Sequence, residues 1–189
     1  MSASNDGPSN DGPSNDCGEC GFVDEPVSME EAIAKLRGFG RRYRAPLTRF
    51  LPGEEGDVLL RTRPAAEVWS TLEYAAHVSE VFEWYDRWVR RSLEEDDPVI
   101  DAPTPDEAAE AGHFNERDPS VVADAIAAHA ESLADTFEGV PEEAWSRCHV
   151  RRGEHRSVLF TARRAVHEGA HHLLDIGRGL RAVRERGRP

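Results

Sequence analysis

Positive charge is scarce in this sequence. Its 23 lysines and arginines face 36 aspartates and glutamates, a formal net charge of −13 with a pI near 5.0. A chain this acidic repels a phosphate backbone, which excludes a general affinity for nucleic acid. Long apolar runs are missing as well: no stretch approaches the roughly eighteen residues needed to cross a bilayer, and the N-terminus lacks the basic-then-apolar profile of a signal peptide. The expectation is a cytoplasmic protein with no membrane partner. Cysteine is limited to Cys17, Cys20 and Cys148, too few and too unevenly spaced for a disulfide framework, so a reducing compartment suits the chain. Lys35 is the only lysine, a bias that carries no functional weight.

What remains fits one domain with one core. Residues 1–16 repeat "SNDGP", small polar turn formers that bury too little apolar surface to offset the entropy of ordering, and are expected to be a disordered tail. Residues 17–27 form a lead-in with a C-x2-C pair, and residues 28–186 the folded domain. Ser28 with Glu31, and Ser70 with Glu73, have the spacing of capping boxes and mark the starts of two amphipathic helices. A third starts at Asp118 and Pro119 and ends at Gly139. A fourth runs through "FTARRAVHEGAHHLLDIGRGLRAVRERG", with Thr161 as its expected cap. Long polar connections span Leu51 to Val68 and Val99 to Arg117, the second with a helical turn at Asp106 to Ala111. The sum is an all-α four-helix bundle with long loops, in which neighbours in sequence need not be neighbours in space.

Histidine is the residue type that carries chemistry. His167 and His171 are four apart on the fourth helix and share a face, the arrangement by which two imidazoles reach one cation. His172 is expected to face elsewhere. His77 sits on the buried stripe of the second helix, where an unpaired imidazole needs a partner. Three inward histidines from two helices of a bundle can converge on one metal, so His77, His167 and His171 are the expected ligands. Three neutral imidazoles suit Zn(II) first, with Ni(II) or Fe(II) as alternatives. Glu168 and Asp175 are candidates for orienting a ligand histidine, or are exposed carboxylates on a charged face. His113, His129, His149 and His155 are expected to be ordinary surface or loop residues. Cys17 and Cys20 have the spacing of half a zinc knuckle. The second half is absent, because Cys148 stands alone beside His149, so a reversible disulfide or an anchoring role through Phe22 is the expectation.

The pattern "WSTLEYAAHV", about ninety residues before "VHEGAHHLLD", together with the "VPEEAW" turn before the last helix, resembles the DinB-like superfamily over residues 28 to 182. The likeness is strongest to its actinobacterial members, where a "CxECGF" element recurs. The resemblance implies a four-helix bundle with a metal held by one histidine of the second helix and an H-x3-H pair of the fourth, here His77, His167 and His171. Its isomerase branch often has a glutamate where this sequence has His167. The superfamily includes mycothiol-dependent maleylpyruvate isomerases and bacillithiol S-transferases. The implied function is therefore a metal-dependent transferase that holds a low-molecular-weight, mycothiol-like thiol as its thiolate for attack on an electrophilic substrate. A non-catalytic metal-binding or stress-response protein and a metal-dependent hydrolase are the alternatives. A homodimer through Trp84 and Trp88 stays open.

Overall fold

A computed structural model describes residues 15–23 and 27–187. The tail expected at 1–16 lies outside the described residues as far as residue 14, and Asn15, near its end, is buried. Four long helices carry the fold: α1 (Met29–Thr48), α3 (Thr71–Glu94), α5 (Pro119–Glu138) and α6 (Val158–Arg186). Two short helices, α2 (Gly56–Arg61) and α4 (Pro105–Ala111), lie in the first two connections, and a hairpin of β1 (Cys148–Arg151) and β2 (Glu154–Ser157) lies in the third.

The helix starts follow from the sequence. Ser28 and Ser70 each form a reciprocal capping box with the glutamate three residues on, and the Asp118 carboxylate accepts from the amides of Ser120 and Val121 with Pro119 at the first helical position. α6 departs from expectation. It begins at Val158, one turn earlier than Thr161, because Ser157 at the end of β2 accepts the Phe160 amide at 3.0 Å. Thr161 instead donates its hydroxyl to the Ser157 carbonyl. The polar connection before α6 is thus ordered as a hairpin, closed by Arg152 and Gly153, both at positive φ.

Packing sets the helix order around the bundle. α1 lies against α5 and α6, and α3 lies against the same two. The first and second long helices, α1 and α3, are therefore diagonal, so the connection between them has to cross the end of the bundle. Close approach is visible where α1 meets α5: a Cβ on Gly40 would stand 2.8 Å from the Ala127 Cβ. Where α1 meets α6, the Tyr43 hydroxyl donates to the Gly169 carbonyl at 2.8 Å. The core between them holds Leu36, Phe39, Phe82, Ile126, Leu133 and Ile176, all fully buried. No helix among the described residues is long and apolar enough to cross a membrane.

Candidate metal centre and cavity

The capping box that starts α3 places His77 two turns in, on the side facing α6. His77 is 5% exposed, and Trp69 stands edge-on to its ring at 5.3 Å. Across from it, α6 presents Glu168 and His172, four residues apart and so on one face. Glu168 Oε2 lies 3.7 Å from His77 Nε2 and 3.2 Å from His172 Nε2. Arg164, one turn earlier, forms an ion pair with the other carboxylate oxygen. Tyr74 stacks on His172 with ring centroids 5.2 Å apart.

The electrostatics of this group are those of a site made for charge. Burial works to raise the Glu168 pKa, but the facing His172 and His77 imidazoles and the Arg164 charge outweigh it and hold the carboxyl well below its usual value. Burial likewise opposes a charge on His172, yet hydrogen bonds to Asp175 and Glu168 push its pKa up to about 9. His172 thus lies between the two carboxylates as a cation, beside the Arg164 charge on Glu168.

The three side chains line the floor of a cavity of about 530 Å³. Trp84, Tyr85, Trp88 and Phe160 form apolar walls, and Arg151, Arg152, Arg156 and Arg164 line the same cavity. The hairpin delivers the first three arginines. Arg151 lies over the Trp88 ring at 4.8 Å. The Nε atoms of Arg151 and Arg156 are buried without a hydrogen-bond partner, and the two side chains line the cavity, which puts guanidinium groups beside aromatic surface.

The expected ligands are distributed differently from the expectation. His167 and His171 do come together, 5.4 Å between ring centroids, but their neighbours are Cys17 and Cys20. His77 instead joins Glu168 and His172. The reason is rotational: residues 167 and 171 share one face of α6, residues 168 and 172 share the next, 100° away, and the second face is the one turned to α3. Both pairs have the same four-residue spacing, so the sequence alone does not say which faces His77. Glu168, offered as an orienting or exposed carboxylate, is 8% exposed and central to the group. His149, expected to be an ordinary surface or loop residue, is buried against Trp88 and Ser92. A further donor group joins the buried Cys148 of β1 with the exposed His155 of β2 and Asp97 from the connection after α3.

Comparison with known proteins adds the family and the fold. The family model of the DinB superfamily matches residues 42–176. No curated protein matches this chain. Among solved structures the fold is similar to YfiT from Bacillus subtilis, described as a probable metal-dependent hydrolase with an unusual four-helix bundle topology. The TM-score is 0.73 at 16% identity, over 86% of this chain and 91% of that one.

Proposed function

The chain belongs to the DinB superfamily, and on that premise we propose that it is a divalent-metal-dependent transferase which uses a low-molecular-weight, mycothiol-like thiol against an anionic, partly aromatic electrophile in the cytoplasm. The observation that carries the reading is the buried Glu168 carboxylate held between two imidazoles at the floor of an arginine-lined cavity.

The donor set fits a metal. Ligand atoms bonded at about 2.0 to 2.1 Å around a tetrahedral ion stand about 3.3 Å apart, and the Glu168 oxygen lies 3.2 and 3.7 Å from the two histidine nitrogens. His77, Glu168 and His172 would hold the ion. When bound, the ion lowers the pKa of a thiol or water so that the nucleophile exists as its anion near neutral pH.

The other residues bind and position. Arg164 holds Glu168 in place through the oxygen that faces away from the histidines. Asp175 accepts from His172 Nδ1 at 2.9 Å and fixes that ring with Nε2 toward the site. Arg151 and Arg156 bind the anionic group of the electrophile, and Trp84 and Trp88 cover its apolar part and exclude water. Zn(II) suits the set best, with Fe(II) or Ni(II) as alternatives.

Glu168→Gln tests this. It should lose one equivalent of metal per chain and reduce thiol conjugation of a fluorogenic anionic electrophile by more than about 100-fold, since loss of an outer partner alone costs 10- to 100-fold. Full metal with no thiol consumption in the wild type would overturn the transferase reading. The fold shared with YfiT supports a second reading, metal-dependent hydrolysis. Product released from the electrophile without any thiol present would favour it.

A further inference from the structure

The face of α6 that carries His167 and His171 supplies no ligand to the centre just described. There, Cys17, Cys20, His167 and His171 each offer a donor atom, and the four atoms lie within 4.8 Å of one another. We propose that this is a second, structural metal site: a Zn(II) ion bound by Cys17, Cys20, His167 and His171 that fastens the N-terminal segment to the last helix.

The local backbone is shaped for it. Residues 17–22 form a tight turn in which the Cys17 amide donates to the Phe22 carbonyl at 2.9 Å and the Gly21 amide to the Cys17 carbonyl at 2.9 Å. Gly21 takes φ +70°, a conformation that side chains strain. The turn brings both sulfurs to the same side, where they stand within 4.8 Å of each other and of the two histidine nitrogens. Both cysteines are free thiols.

The histidines meet them from α6. Cys17 Sγ lies 3.5 Å from His171 Nδ1, while Nε2 of that ring lies 3.4 Å from Asp175, the carboxylate that orients a ligand imidazole. His167 is 8% exposed, and its Nε2 is buried with no hydrogen-bond partner. Its Nδ1 lies 3.3 Å from Arg164, which also pairs with Glu168 and so can yield. Phe22 stacks on the His167 ring at 5.2 Å and holds it against the turn. Around zinc, donor atoms stand about 3.3 to 3.8 Å apart, so shifts of roughly 1 Å close the shell. Four protein ligands leave no open position, which makes the site structural. Loading releases the two thiol protons to solvent.

The consequence reaches the cavity. The same segment carries Asn15, which is 2% exposed and lines the cavity floored by His77, Glu168 and His172. The zinc would therefore hold one wall of that cavity in place.

Cobalt substitution of the full chain under reducing conditions tests the site. Wild type should bind two Co(II) per chain and show a thiolate-to-cobalt charge-transfer band, which a donor set of nitrogen and oxygen cannot give. Cys17→Ser with Cys20→Ser should bind one ion and lose the band. His77→Ala should also bind one ion but keep the band, so failure of the catalytic centre is told apart from failure of this site. If the serine variant does not fold, thiol alkylation of zinc-loaded wild type decides: Cys17 and Cys20 should be protected until a chelator is added. Absence of the band in wild type, or cysteines that alkylate equally with and without zinc, would overturn the proposal.

Discussion

Two histidines show how burial and neighbours set opposite proton affinities in one molecule. His149 is desolvated under Trp88 with Arg156, Arg151 and Arg91 nearby, and its pKa is pushed down to about 4. The unfolded value is about 6.5, so the unfolded chain binds the extra proton first and stability falls as pH drops from 6.5 toward 4, by on the order of 3 kcal/mol. Urea unfolding at pH 7 and pH 4.5 should show that slope, and His149→Gln should flatten it. His172 behaves in reverse. Its folded pKa of about 9 lies above the unfolded value, so metal-free protein keeps this contribution below pH 6.5 and loses it as pH rises through 9. Metal at the proposed centre needs the neutral ring, so uptake there should release a proton and weaken by up to about tenfold per unit as pH falls below 9. Calorimetry in two buffers of different ionisation enthalpy measures that proton. A pH-independent affinity for the ion between pH 6 and 8 would contradict it.

Within a single helix, α1, two glycines only two residues apart should respond to alanine with opposite signs. Nothing stands within 4 Å of a Cβ built on Gly38, whereas one on Gly40 meets the Ala127 Cβ at 2.8 Å and Cα at 3.0 Å. Gly38→Ala should stabilise by up to about 1 kcal/mol through helix propensity. Gly40→Ala gains the same term but forces α1 off α5, an overpacking cost of about 1 to 3 kcal/mol, so a net loss is expected. Denaturant midpoints of the two variants test the pair. The hairpin likewise acts as a unit: its turn at Arg152 and Gly153 and its parallel bridge from Val150 to Val99 fix where Arg151 and Arg156 project.

The cavity belongs to the whole molecule, since α3, α6, the hairpin and the approach to α4 all contribute to its lining. Three of the four tryptophans, Trp69, Trp84 and Trp88, line it, so a bound anionic aromatic compound should change the intrinsic fluorescence. Arg151→Ala with Arg156→Ala should weaken that binding about 10- to 100-fold, the scale of one or two hydrogen bonds to charge. An unchanged titration curve in the double variant would remove the arginines from recognition.

Much of this architecture was legible from local chemistry. Capping boxes, the proline at a first helical turn and the apolar periodicity fixed four helices, because each depends on residues three or four positions apart. That His77 lies on the buried stripe of α3, and that α6 carries a four-residue pair on one face, was legible for the same reason. Local chemistry could not tell the two interleaved pairs on α6 apart, since His167 with His171 and Glu168 with His172 are equivalent by spacing. Only the angle at which α6 rolls against α3 turns Glu168 and His172 toward His77 and leaves the other face to Cys17 and Cys20. That angle is set by side chains packed from four helices at once, and no window of sequence contains it.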